Sequence, residues 1–411
     1  MKYSVKSLLD YILILLIGIF PFSPSMRSLD QIHVHALYLS MVCLFAFVIL
    51  LLTRRFKVLL NTLSSKEILA FVLFLLVSLS SLIYTFNVQE SVIALSKYFL
   101  FFNLLIISYT LFSEKKFFLI SVIVFFGVIE TLKIFNVFVD NYSWSEGLSR
   151  IRDLQGFSAN QNIGSFSLAI KTPIIIYIFY KLKNRFLKYA TLLILTLMFF
   201  NILIIGTRGA ILALLILFVC IIGYMILTKD KKLFRGLLPI FIGFSFVIIC
   251  QSYLYKSNSE LQVINRATSY DDSSVNGRLN YYKACFDKIV ENPIIGVGIG
   301  NWKILSLKYG SDTIESYEVP IHAHNDFLHL ASELGVIGSF IYLLIFLAPI
   351  YSVWRNKNRN LLDIFLVFSI MIFLIDSNLN FPRSRPYSFI NIIYILTLFH
   401  LNKNSKGDEI I

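Results

Sequence analysis

The chain reads as an all-α polytopic membrane protein of about 12 transmembrane helices, and three observations carry that reading. Its 411 residues are 57% hydrophobic and 16% aromatic but only 15% charged, far from the usage of soluble domains. The apolar residues gather into runs close to the ~20 residues that span a bilayer. The basic residues fall in short clusters between those runs, so the net charge of +13 marks topology rather than a nucleic-acid-binding face.

Lys2 and Lys6 precede an apolar run from Leu8 to Phe22 that has the look of a signal sequence. No small-x-small cleavage site follows and further apolar runs come after it, so it is expected to stay as the first helix. The other runs lie near 35–52, 67–85, 92–112, 117–139, 163–180, 187–205, 209–227, 235–255, 326–353, 360–379 and 386–401. Lys171 and Pro173 interrupt the sixth of the twelve, where irregular backbone needs protein or water around it, and the last is short. The whole chain, 1–411, is expected to form one integral membrane domain, with the polar segment 256–325 inserted as a large outer loop between helices nine and ten. Of the four cysteines, Cys43, Cys220 and Cys250 lie in apolar runs and only Cys285 in that segment, so no disulfide is expected.

Alternate short connections differ sharply in charge. One set holds 21 lysines and arginines and the other six, which by the positive-inside rule puts both termini in the cytoplasm and the 256–325 loop outside. The six outer residues are Arg27, Arg150, Arg152, Arg208, Arg383 and Arg385, with no lysine among them. A planar guanidinium suits bidentate recognition of phosphate or carboxylate, so these arginines hint at an anionic ligand; alternatively each snorkels to headgroups or pairs with an acid. Arg208 stands in GTRGA, a glycine-flanked turn between two apolar runs that fixes its place at the membrane boundary. Arg150 and Arg152 precede Asn160 and Asn162, whose amides can hydrogen-bond sugar hydroxyls or cap the sixth helix. Arg383 and Arg385 in NFPRSRP are further anionic contacts.

Within the outer loop, Asn276 and Gly277 start a predicted amphipathic helix that ends at Asn292-Pro293. Its Leu279, Tyr282, Phe286, Ile289 and Val290 share one face and suit a helix lying on the membrane surface. Arg278 falls in its first turn, where a cation is disfavoured unless an anion binds nearby. The following GVGIG lacks the strand-turn-helix context of a nucleotide loop. Among ionisable residues inside the runs, Glu130 and Lys133 are placed to pair on one helix face, beside Lys171 and Asp376 elsewhere.

Polar chemistry meets hydrocarbon at IHAHNDFLHLASELGVIG, residues 321–338, where His322, His324, Asn325, Asp326 and His329 open the tenth helix. Three histidines in eight residues, with Glu333 four positions after His329, are unusual at a helix entry and call for a reason. His322 and His329 are either substrate contacts or packed histidines. A zinc set from His322, His324, Asp326 and His329 is also chemically open, although it lacks the usual spacing of zinc enzymes.

Three blocks, GTRGAILAL at 206–214, NGRLNYYKACFDKIVENPIIGVGIGNW at 276–302 and HAHNDFLHLASELGVIG at 322–338, resemble the O-antigen ligase superfamily, which includes polysaccharide polymerases and protein O-oligosaccharyltransferases. His324-Asn325 followed by Gly335 and Gly338 is similar to the ligase signature in spacing and residue type. The resemblance implies a GT-C-like helical membrane fold with a periplasmic loop. It implies a metal-independent, cofactor-free glycosyltransferase of the bacterial inner membrane, with its active site facing the periplasm. The donor would be a glycan on undecaprenyl diphosphate. The acceptor would be the lipid A core for a ligase, or a growing glycan for a polymerase. Neither role involves nucleic acid. By the matching positions, His324 would be catalytic and Arg208 and Arg278 would hold the diphosphate; Arg150, Arg152, Arg383, Arg385, Asn325 and His322 are further candidate substrate contacts on their residue types and places alone. A transporter of lipid-linked oligosaccharide is the reading from another class; it needs a basic cavity but no boundary histidine beside a fixed arginine turn.

Overall fold

The computed structural model describes residues 2–23, 31–53, 55–143, 147–148, 153–158, 160–254, 273–310, 321–357 and 359–404. Among them the chain is all-α apart from a two-residue antiparallel pair, β1 (Tyr142–Ser143) with β2 (Gly147–Leu148). The helices are α1 (Lys2–Gly18), α2 (Gln31–Leu52), α3 (Phe56–Thr62), α4 (Lys66–Ser80), α5 (Val88–Leu111), α6 (Lys116–Asn141), α7 (Gln161–Lys181), α8 (Arg185–Ile205), α9 (Arg208–Thr228), α10 (Lys231–Leu254), α11 (Ser273–Glu291), α12 (Trp302–Gly310), α13 (Asp326–Arg355), α14 (Leu361–Leu379) and α15 (Pro386–Asn404). Ten of these described helices, α2, α4 to α10, α13 and α14, are long and apolar enough to cross a membrane. The first predicted run survives as a shorter apolar stretch, Leu8–Gly18. The twelfth is the 19-residue α15, whose hydropathy Asn391, His400 and Asn402 dilute.

Local sequence sets many helix starts. Asn87, Asn160, Asn184 and Asn325 each sit just before a helix in extended backbone and accept a hydrogen bond from an amide of the first turn. Of the two roles open to Asn160, capping is the one taken, with Asn162 N and Ile163 N donating to its side chain at 3.0 and 3.3 Å. Apolar side chains that remain exposed on the helices, such as Leu44, Leu76, Val219 and Leu227 at 68, 57, 68 and 85%, suit a lipid surround.

The chain divides into two compact units. The first joins residues 1–113, 271–357 and 376–393; the second joins 114–270, 358–375 and 394–411. In the first, α4 packs along α13, and aromatic rings fill the layer. Phe101 stacks on Phe389 at 4.1 Å, and Phe74 lies against Tyr98 and Tyr342 at 4.9 and 5.2 Å. In the second, α7 is the central helix, 89% buried across its apolar window, with Phe199, Phe218 and Phe244 closing α8, α9 and α10 on one another. Pro173 does not interrupt α7.

The second unit also corrects one expected pairing. Glu130 pairs with Lys171 at 2.9 Å rather than with Lys133, whose ammonium lies 3.8 Å from the centre of the Phe157 ring. The reason is burial. Glu130 is 1% exposed and faces α7, whereas Lys133 is exposed on a neighbouring face of α6. A buried carboxylate needs its countercharge across the packed interface. Lys171 satisfies all three of its protons, on Glu130 Oε2, the Ser167 hydroxyl and the Ser167 carbonyl.

Candidate functional site

The site is built in the first unit around a break in α13. Gly335 has φ 71° and ψ 172° inside this helix, a conformation open to glycine and strained for any other residue. A Cβ there would collide with the carbonyl oxygen of Ile294. The helical ladder is interrupted, and the loop 293–301 takes up what it leaves. Val297 N donates to Ser332 O at 3.2 Å, Gly298 N to Glu333 O at 2.8 Å, and Val336 N to Pro293 O at 2.9 Å. The glycines of GVGIG therefore exist for close backbone approach. A Cβ on Gly296 would meet Glu333, and one on Gly298 would meet Thr85. The Asn301 amide and Ser91 tie the far side of this loop to the α4–α5 turn, with Asn301 Oδ1 accepting from Asn87 N at 2.8 Å and Ser91 donating to Ile299 O at 2.6 Å.

The polar stretch before α13 is held from below and from the side. Asn325 caps the helix, its Oδ1 accepting from Phe327 N and Leu328 N at 3.0 Å each. Asp326, fully buried, lies 3.0 Å from the Arg383 guanidinium and accepts from the Arg383 amide at 3.1 Å. The Arg383 guanidinium also donates to the Tyr98 hydroxyl. Arg383 is thus buried and committed to protein partners, fastening the 382–384 turn to the start of α13. His329 accepts from Ala323 N at 3.4 Å through Nδ1, which assigns the proton to Nε2 and directs it to Glu333 Oε1 at 3.2 Å. The same oxygen receives Trp302 N at 3.0 Å.

His324 is one of two described non-glycine residues with positive φ, at 56°. Such backbone costs of order 1–3 kcal/mol and persists where its surroundings over-determine it. Here they do. The Tyr282 hydroxyl of α11 lies 3.1 Å from the His324 carbonyl, and Ala323 is held by His329. The ring meets the edge of Phe381 at 4.9 Å and lies parallel to Tyr281 at 6.4 Å. His322 stacks on the same Phe381 at 4.2 Å. Burial, with Arg278 and Arg385 nearby, pulls His324 down to about 4. Burial pushes His322 well below its ordinary value too, helped by His329 and the surrounding cations.

The structure therefore gathers His322, His324, Asn325, Arg278, Arg383 and Arg385 at one end of the first unit. Arg385 lies over the Phe381 ring at 5.0 Å. Arg278 stands in the first turns of α11, which starts at Ser273, slightly before the predicted Asn276. Arg208 belongs to the second unit, as the first residue of α9 behind Thr207 and the left-handed Gly206. Arg27, Arg150 and Arg152 lie outside the described residues. The four residues weighed for zinc do not converge, since Asp326 is turned to Arg383 and His329 to Glu333. Among the described residues no group of three His, Cys, Asp or Glu is placed to hold a metal ion.

Sequence reasoning missed one wall of the site. A cavity of ≈ 80 Å³ is lined by Glu90, Lys97, Tyr98, Lys303, His322 and Glu333, among others. Glu90 and Lys97 are seven apart on α5, at the end of an apolar run, and ionisable residues in such a place are a functional signal that was available.

Residues 191–343 match the family described as O-Antigen ligase. A candidate polysaccharide ligase of Rickettsia conorii is 29% identical over 89 residues, so the match spans about a fifth of either protein, 20% of this chain and 21% of the relative. The family match contains Arg208, Arg278 and the whole of 322–338, and the superfamily read from the three sequence blocks is borne out.

Proposed function

We propose, taking the O-antigen ligase superfamily as the premise, that this chain is a bacterial inner-membrane glycosyltransferase. It moves a glycan from undecaprenyl diphosphate to an acceptor hydroxyl, with the lipid A core as the favoured acceptor. The observation that carries the reading is His324, a half-buried imidazole in left-handed backbone at the mouth of a membrane helix, with Arg278 and Arg385 bearing on it.

Chemically, the neutral imidazole accepts the proton of the acceptor hydroxyl as that oxygen bonds the anomeric carbon. The bond from this carbon to the diphosphate oxygen breaks, and the electron pair leaves with the diphosphate. The lowered pKa keeps the ring unprotonated, and so open to accept a proton, at neutral pH among cations. Arg278 and Arg385 stabilise the departing charge electrostatically, the role a metal ion fills in other phosphate chemistry. By the family positions Arg208 is a further candidate for diphosphate binding, and Arg150 and Arg152 are candidate substrate contacts. The 21-to-six charge asymmetry supports cytoplasmic termini and a site facing the periplasm.

The test is the surface glycan of a null mutant. A ligase null accumulates full-length lipid-linked polymer and bare core. A polymerase null instead leaves core bearing a single repeat, and that outcome moves the acceptor from lipid A core to growing glycan. An unchanged glycan profile sinks both.

A further inference from the structure

The ≈ 80 Å³ cavity of the first unit is lined by His322 but not by His324, so it lies to one side of the proposed base. It exceeds several-fold the ~10–15 Å³ that a cavity needs to hold a single water. Its charges largely cancel. Glu90 pairs with Lys303, Glu333 receives His329 and the Trp302 amide, and Arg383 is held by Asp326. A small anion in this space would face two carboxylates as well as the cations. A polyhydroxyl ring would not suffer that conflict, because each hydroxyl donates one hydrogen bond and accepts others, matching a wall of mixed carboxylate, ammonium and phenol groups. Two atoms of lining residues, Glu333 Oε2 and His322 Nδ1, are buried without a hydrogen-bond partner among the described residues, and Glu333 is 1% exposed. Buried polar atoms are ordinarily satisfied, so these two await a partner of their own size.

We propose that this cavity is a subsite for one neutral pyranose of the acceptor glycan. Glu90 and Glu333 accept from its hydroxyls while Lys97 and Lys303 donate to them. Naming the sugar as the acceptor's rests on the glycosyl-transfer reading; sugar binding in the cavity does not.

Full-length protein in phosphatidylethanolamine/phosphatidylglycerol nanodiscs, probed by saturation-transfer NMR with glucose, galactose, glucuronate and inorganic phosphate, tests the binding directly. The neutral hexoses should bind, and Glu90→Gln and Lys303→Met should each weaken them about tenfold, the size expected for losing one hydrogen bond to a charged group. In transfer assays the same variants should raise acceptor KM about tenfold and change kcat by less than about threefold, the pattern of lost ground-state binding. Lys97→Met is the substitute where either variant fails to insert. Phosphate or glucuronate binding more tightly than both hexoses, no hexose binding, or a fall in kcat with KM unmoved overturns the subsite. Hexose binding that the variants weaken, in a protein with no transfer activity, removes the enzymatic reading and leaves the subsite standing.

Discussion

Two buried pairs of cation and carboxylate, one in each unit, show how the same electrostatic device serves different ends. Lys171 and Glu130 join two regular helices, and every proton of the lysine has an acceptor. Arg383 and Asp326 join a short turn to the first residue of a helix that breaks nine positions later at Gly335, beneath a histidine in strained backbone. The first pair seals an interface. The second braces a site, and what distinguishes it is the irregular backbone that surrounds it rather than the charges.

The largest expected effect attacks this contrast from the site. His324→Ala should lower transfer by about two to four orders of magnitude while donor binding survives, whereas the double replacement Glu130→Leu/Lys171→Met should leave transfer within about threefold. Purified protein in lipid, assayed with a lipid-linked donor, measures both. A fully active His324→Ala removes the base, and an inactive double variant makes the second unit's pair more than a seal.

Stability sharpens the contrast next. Lys171→Met or Arg383→Met alone should cost about 3–5 kcal/mol in denaturant titrations, because each strands a buried carboxylate. Restoring balance with Glu130→Leu in the one case and Asp326→Asn in the other should recover most of that loss. Only the first rescue should be active. Equal activity in both rescued forms would erase the distinction.

A smaller change is expected at Arg278. Arg278→Lys keeps the charge but not the planar fork, and should reduce transfer about tenfold with insertion unaffected. Full activity would remove Arg278 from diphosphate binding.

The gentlest probe is pH. The His324 ring titrates at about 4 in the fold, against an ordinary ~6.5. The unfolded chain therefore takes up this proton first as pH falls, so the contribution of neutral His324 to stability is complete above ~6.5 and is lost down to about 4. Transfer should run level from pH 7 to 5 and fall near 4. A midpoint near 6.5 would show that burial and the two arginines do not act on the ring.

Lipid made much of this molecule legible in advance. Runs such as Arg208–Thr228 stand out because every residue must suit hydrocarbon and every backbone group must bond within its own helix. The motif residues were legible too, since His324, Asn325 and Arg278 share one end of the first unit. Hidden in the sequence were the contacts made across long separations. Nothing local in GVGIG says that its amides will bond Ser332 and Glu333, and nothing in NFPRSRP says that Arg383 will be consumed by Asp326 and Tyr98. The Glu130–Lys133 expectation failed for the same reason, because spacing along one helix cannot report which neighbour will bury it. Short α3 escaped notice, being too brief for a periodic signal.

The break at Gly335 also bears on how the protein sits in membranes of varying thickness. A spanning helix answers a thinner or thicker bilayer by tilting. In α13, however, both sides of the break bond sideways to the loop 293–298, through Ser332 O and Glu333 O before it and Val336 N after it, and the Ser339 hydroxyl donates to Phe327 O at 2.8 Å across it, so the stretch 326–334, the loop and the head of the span are bonded into one piece. A tilt of the span would therefore carry the site with it rather than distort it. Turnover in vesicles made from progressively longer acyl chains should accordingly change by less than about twofold over the few ångströms that separate natural membranes, which lets one site serve a membrane whose lipid composition drifts with growth.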